Sequence, residues 1–168
     1  MSGFLKFQHI ENKLNRATNY LNFTEEKIVQ IKLDGSNGSI WWDYEHDCIA
    51  CGSRNNELTI SNTLNGFYNW VQALPDAVKQ WFKQHHIRVY GEWMIPHSIQ
   101  YDKDIQSQFV AFETWYECYD VIDFNSYSWQ NFGLLSVPTF KYQETVENIF
   151  EAFHSGAFNI DDLFLPIN

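Results

Sequence analysis

Residues 27–37 read KIVQIKLDGSN, where Lys32 places an amine two residues before Asp34 and three before Gly35. A lysine amine is a nucleophile only after it loses its proton, which desolvation or neighbouring cations promote. Lys32 ends a strand-like run and precedes a cluster of turn formers, DGSNG. Most strand-end lysines are simply solvated, so the other reactive side chains decide how to read it. Arg54, in SRN, carries a guanidinium suited to gripping phosphate oxygens at two points. Glu92, in YGEW, puts a carboxylate in the middle of an aromatic strand, an odd choice for a plain surface position. Tyr119, in YECYDVID, offers a ring that either stacks on a ligand or joins the core. Asn37 suits turn geometry as well as it suits chemistry.

Competing chemistries find less support. Cys48 and Cys51 form CIAC two residues after His46, but a structural zinc needs four ligands and the remaining cysteine, Cys118, stands apart. Reduced thiols on a strand are the reading preferred here. His85 and His86 fall at a helix end and His97 in a polar loop. No Ser/His/Asp order appears, and DGSNG lacks the Gly-Lys-Ser/Thr ending of a phosphate-binding P-loop.

The elements that must position these groups follow from periodicity. Val29, Ile31 and Leu33 alternate with Ile28, Gln30 and Lys32, which predicts a strand whose second face carries Lys32. With SIWWDY following the turn, a hairpin with the lysine at its mouth is expected, then a short strand over CIACGS. Between Phe67 and Lys83 the spacing becomes helical, and Pro75 divides it into two short helices or one kinked one. IRVYGEWMI (87–95) is strand, with Arg88, Tyr90 and Glu92 on one face. HSIQYDKDIQSQ (97–108) reads as loop and WYECYDVIDF (115–124) as a further strand. Val146, Ile149, Phe150 and Phe153 predict a last helix stopped by Gly156. Strands interrupted by helices without regular alternation indicate an α+β fold with antiparallel sheets and a few packed helices.

A length of 168 residues and 45% hydrophobic content fit one domain, 1–168, around a single core. No apolar run reaches the ~18 residues of a membrane span and the start lacks a signal-peptide core, so a cytoplasmic chain with no membrane partner is expected. Eleven basic against 21 acidic residues give a net charge of −10, the wrong sign for tight binding to duplex nucleic acid through many phosphates. Any nucleic-acid contact must be local.

Together and in order, KLDGSN, SRN, YGEW and YECYDVID resemble the motifs of the covalent nucleotidyltransferase superfamily of ATP-dependent ligases and capping enzymes. GEWMIPHSIQY looks in particular like the phage-type and bacterial RNA ligase branch. The resemblance spans roughly residues 20–125. It implies the adenylation-domain fold, ATP with Mg²⁺ or Mn²⁺, and a lysyl-AMP intermediate on the way to nucleic-acid end joining. By the same resemblance Lys32 is the nucleophile. Ile31 and Gly35 border the nucleotide, with Gly35 keeping a side chain out of its way. Arg54 touches phosphate or an RNA 3′ end, Glu92 the ribose hydroxyls, Tyr119 the adenine, and Asn37 the reacting phosphate or RNA terminus. Asp34 and Asp120 are assigned structural roles.

The resemblance breaks towards the C-terminus. Ligases of this type carry a Glu-Gly whose glutamate helps hold the metal and a Lys-x-Lys strand that neutralises the α-phosphate. No Glu-Gly occurs in this sequence, and Lys141 is the only lysine after residue 125. Three readings stay open: a shortened adenylation domain completed by a second chain or second copy, an active short form, or a pseudo-ligase that binds nucleotide, RNA ends or a protein without catalysis.

Overall fold

Alternation of large apolar and polar residues over 36–53 and 87–116 builds a sheet with one face fed by Ile40, Trp42, Ile49, Cys51, Val89, Trp93 and Phe109, all buried. The structure, a computed structural model, describes residues 3–8, 26–143, 148, 151–152 and 155. The chain divides into two compact units, one of Met1–Phe7 and Lys32–Ser136, the other of Gln8–Ile31 and Val137–Asn168.

The first unit is a five-stranded antiparallel sheet in the order β3-β2-β4-β5-β6. Its strands are β2 (Ser36–Asp43), β3 (Cys48–Ser53), β4 (Ile87–Trp93), β5 (Phe109–Tyr116) and β6 (Val121–Asp123). Helices α1 (Phe67–Gln72) and α2 (Asp76–His85) supply Phe67, Val71, Val78 and Phe82 to the apolar face. Pro75 stands at the N-cap of α2, so the two-helix alternative is the one realised. The short α3 (Tyr127–Gln130) buries Trp129, whose indole N–H donates to the Leu135 carbonyl at 2.8 Å and whose ring meets Phe109 edge-on at 5.8 Å.

The opposite face carries Ser39 and Trp41 of β2 and Arg88, Tyr90 and Glu92 of β4, because directly paired residues share a side. The N-terminal segment crosses part of this face. Phe4 packs on Trp41 (centroids 6.1 Å) and against Gly52, where a Cβ would sit 2.6 Å from its ring. Phe7 lies 5.0 Å from both Tyr90 and Phe112. A register shift between Tyr90 and Gly91 marks a β-bulge in the β4–β5 pairing.

The second unit is described chiefly by β1 (Lys27–Gln30) pairing antiparallel with β7 (Thr139–Tyr142), where the Gln30 amide donates to Thr139 Oγ1 at 3.1 Å.

Two sequence expectations are corrected. Residues 28–33 and SIWWDY do not form a hairpin: β1 stops at Gln30 and pairs with β7, while β2 pairs with β3 and β4. Residues 31–34 belong to no strand, and the Asp34 N–H donates to the Tyr101 hydroxyl at 2.9 Å instead of to a neighbouring strand. The strand expected over 115–124 begins earlier, at Phe109, and is broken by a turn where Asp120 adopts φ 50° and accepts from the Trp115 indole at 3.1 Å. The helix predicted through Val146, Ile149, Phe150, Phe153 and Gly156 lies outside the described residues. No helix among the described residues is long and apolar enough to cross a membrane.

Candidate active site

One end of the sheet gathers most of the residues that the sequence singles out. Asn37 pairs with Glu92, Glu92 pairs with Val110, and Gly38 pairs with Ser53, the residue before Arg54. Asn37 of β2 and Glu92 of β4 are therefore directly paired, and Arg54, just past the end of β3, lies at the same end of the sheet. The irregular segment Lys32–Gly35 leads into β2 at this same end.

Gly35 earns its place by space, not by turn geometry. It has no positive φ, but a Cβ there would lie 2.8 Å from the Trp93 carbonyl oxygen and 3.3 Å from Glu92 Oε2. Only glycine lets this backbone lie against the end of β4. Leu33 is buried and pins the segment, so Lys32 beside it is exposed, where the sequence pointed to a buried-facing position. Asp34 is structural, as expected: its Oδ2 accepts the Ile99 N–H at 3.1 Å.

The electrostatics centre on Glu92. Burial pushes its carboxyl up to about 7, against a downward pull from the Lys32 and Arg54 charges and an upward push from Asp34. Among the described residues no side chain gives the Glu92 carboxylate a hydrogen bond or an ion pair. A half-buried carboxylate with charged neighbours and open valences can accept from a ligand's hydroxyls, and Arg54 and Lys32 can meet a ligand's anionic part.

Tyr119 is not brought to this end. It is 79% exposed in the turn after Tyr116, and Tyr116 pairs with Ile87, the first residue of β4. Five residues of β4 separate Ile87 from Glu92, about 17 Å at ~3.3 Å per residue. The early start of β5 is the reason: the aromatics it delivers to the site end come from FVAF, not from YECY.

Sequence reasoning passed over Phe112 and Glu113. The bulge breaks the alternation of β5, so Phe112 (through its contact with Phe7) and Glu113 (through its pairing with Tyr90) both lie on the Glu92 side of the sheet. Burial lifts the Glu113 carboxyl to about 7 as well. The signal was present in FVAFET, where apolar residues run on through positions that alternation would make polar.

Elsewhere, Asp43 and His46 form an exposed pair at 2.6 Å, which lowers the carboxyl and raises the imidazole. Cys48 is exposed, and Cys51 is buried with its thiol pushed up to about 12 by that burial. Among the described residues no group of three or more His, Cys, Asp or Glu side chains converges to hold a metal ion. A resident all-protein metal cage does not fit this part of the chain.

The RNA ligase family model matches residues 25–162. No curated protein matches the sequence. Solved RNA ligase structures from Naegleria gruberi do match. An apo lysine-to-alanine variant is 20% identical with a TM-score of 0.55, over 79% of this chain and 42% of that one. A ligase bound to pyrophosphate is 22% identical with a TM-score of 0.53, over 90% and 50%. A variant holding ATP and manganese is 21% identical with a TM-score of 0.52, over 81% and 45%. The present chain thus spans half or less of the ligases it resembles, and at these identities the likeness is one of fold. With most of its length matched by the family model, the chain belongs to the RNA ligase family.

Proposed function

We propose that this chain is an ATP-dependent adenylation domain that forms lysyl-AMP at Lys32 as the first step of RNA end joining. The observation that carries this reading is the meeting of Lys32, Arg54 and Glu92 at one end of the sheet, with the Glu92 carboxylate left without a hydrogen-bond or ion-pair partner among the described residues. Glu92 would accept the ribose hydroxyls, and Arg54 would hold phosphate oxygens. Phe112, half-buried on the same side of the sheet, replaces Tyr119 as the ring against which adenine would stack.

In the step itself the unprotonated Lys32 amine attacks the α-phosphorus of ATP. A nitrogen–phosphorus bond forms, the bond to the bridging oxygen breaks, pyrophosphate leaves, and the attacking nitrogen releases one proton to solvent. Positioning and charge neutralisation carry most of such a reaction. Mg²⁺ or Mn²⁺ would arrive on the nucleotide's own phosphates and water, as Mg²⁺ commonly does, because the described residues offer no cage for it. RNA ends are the acceptor class that the family implies. Asn37, paired with Glu92, would be the side chain to meet one.

Incubation with ATP labelled at the α-phosphate should attach label to the chain, and Lys32→Ala should remove it completely. An unlabelled wild-type chain under both Mg²⁺ and Mn²⁺ overturns the catalytic reading. The exposure of Lys32 favours one second reading, a binding module that holds nucleotide unreacted. Saturable ATP binding without label, unchanged in Lys32→Ala, would select it.

A further inference from the structure

The segment 31–34 has no strand partner, yet it must hold the Lys32 amine against the Glu92 end of the sheet. What holds it is the loop between β4 and β5. The base of that loop is fixed by two backbone bonds, Met94 N–H to Gln108 O at 2.9 Å and Ser107 N–H to Met94 O at 2.7 Å. Within it the Gln106 side-chain amide donates to the Tyr101 carbonyl at 3.1 Å. Tyr101 then reaches out: its hydroxyl oxygen accepts the Asp34 N–H at 2.9 Å, while the Asp34 carboxylate accepts the Ile99 N–H at 3.1 Å. Two hydrogen bonds, one in each direction, thus clamp Asp34, two residues from Lys32. Tyr101 also lines a cavity of about 240 Å³ with Met94, Ile95 and Ile99.

We infer that Tyr101 is a positioning residue that acts through Asp34 to fix where the Lys32 amine stands relative to Glu92. The inference deepens the adenylation reading and rests on it for its consequence in rate, though not for its geometry. An irregular segment pinned on one side by buried Leu33 has its other hold in this clamp. An attacking amine displaced by even 1 Å loses rate steeply. Nucleotide binding through Arg54 and Glu92 does not pass through the clamp.

Tyr101→Phe removes only the hydroxyl and keeps the ring. Lysyl-AMP formation at saturating ATP should fall at least tenfold, with the half-saturating ATP concentration and the thermal midpoint little changed. Without nucleotide, carbon NMR of the Glu92 carboxyl gives a second readout. The Lys32 charge pulls the Glu92 titration down, so releasing Lys32 should move its midpoint upward. Asp34→Asn, which weakens the acceptor for Ile99, should lower the labelling rate in the same direction by less; it is read by rate alone, because it also removes the Asp34 charge that pushes Glu92 up. Equal labelling rates in wild type and Tyr101→Phe overturn the inference. If neither protein labels, the adenylation reading falls and the NMR arm still decides: a raised Glu92 midpoint keeps the positioning role, and an unmoved one removes it.

Discussion

Strand β4 buries two charges of opposite sign on one face, four residues apart, and treats them differently. Arg88 is fully buried, with its Nε donating to Glu117 Oε1 at 2.8 Å, its Nη2 donating to the Gly3 carbonyl at 2.8 Å, and its guanidinium 4.7 Å from the Trp41 ring. Of its nitrogens only Nη1 lacks a partner. Glu92, at the other end of the strand, is less buried, yet no hydrogen bond or ion pair holds its carboxylate among the described residues. A buried charge that the fold has answered belongs to the architecture. One left raised and unanswered is waiting for something the fold does not contain. The two ends of a single strand thus separate stability from chemistry.

The strongest way to break this comparison is to attack the answered charge. Arg88→Met leaves Glu117 half of a broken pair and the Gly3 carbonyl without its donor. Unfolding in urea should show a loss of about 3–5 kcal/mol, the usual cost of removing one partner of a buried ion pair. Adding Glu117→Gln should recover part of that loss, because the cost lies in the stranded charge. If Arg88→Met is as stable as wild type, the end covered by the N-terminal segment is not the structural end. Glu92→Gln should do the reverse, leaving stability unchanged or higher while cutting lysyl-AMP formation at least tenfold.

A smaller effect sharpens the same contrast through pH. Burial raises Glu92 and Glu113 from 4.5 to about 7 in the folded chain. Between those values the folded state holds protons that the unfolded state has released. Their stabilising contribution is therefore complete below pH 4.5 and is lost as pH rises through 7. Each group is partly solvated, so the loss should be about 1–2 kcal/mol apiece rather than the full figure implied by the shift. Denaturation midpoints measured from pH 5 to pH 8 should fall in wild type and stay flatter in Glu92→Gln with Glu113→Gln. A profile equally steep in the double variant would assign the slope to other groups.

What could be read from the sequence follows the same division. Strand β4 and its faces were legible, because alternation over IRVYGEW admits one phase and a core side of Ile87, Val89 and Trp93. The two helices on either side of Pro75 were legible for the same kind of reason. The grouping of Arg54, Asn37 and Glu92 was legible as a set of motifs, and strand register then brought them to one end of the sheet. Where local pattern and tertiary contact disagreed, the reading failed. Lys32 looked like the end of a hairpin strand, but two residues on, the hydroxyl of Tyr101, 67 residues from Asp34, accepts the Asp34 N–H that a neighbouring strand would have taken. The bulge at Gly91 resets the phase of β5 and sets Glu113, not Phe112, opposite Tyr90, a shift that alternation alone does not show. No local rule carries that information, because the bulge lies where the Gly91 backbone meets the Val110 carbonyl and the Phe109 ring of another strand, leaving no room for a Cβ.

The ring of Tyr119 yields the smallest effect and the cleanest control. Tyr119 lies in a turn, 79% exposed, far along the sheet from Glu92. Removing an exposed side chain without partners usually changes stability by less than about 0.5 kcal/mol. Tyr119→Ala should therefore leave both the thermal midpoint and the half-saturating ATP concentration within twofold of wild type. Phe112→Ala should weaken ATP by the ~1–3 kcal/mol that a base–ring stack is worth, and it also removes packing against Phe7, so its binding must be measured at a temperature where the variant is fully folded. If Tyr119→Ala weakens ATP and Phe112→Ala does not, then the nucleotide lies at the Arg88 end of β4. The raised carboxylate at the opposite end would then need another explanation.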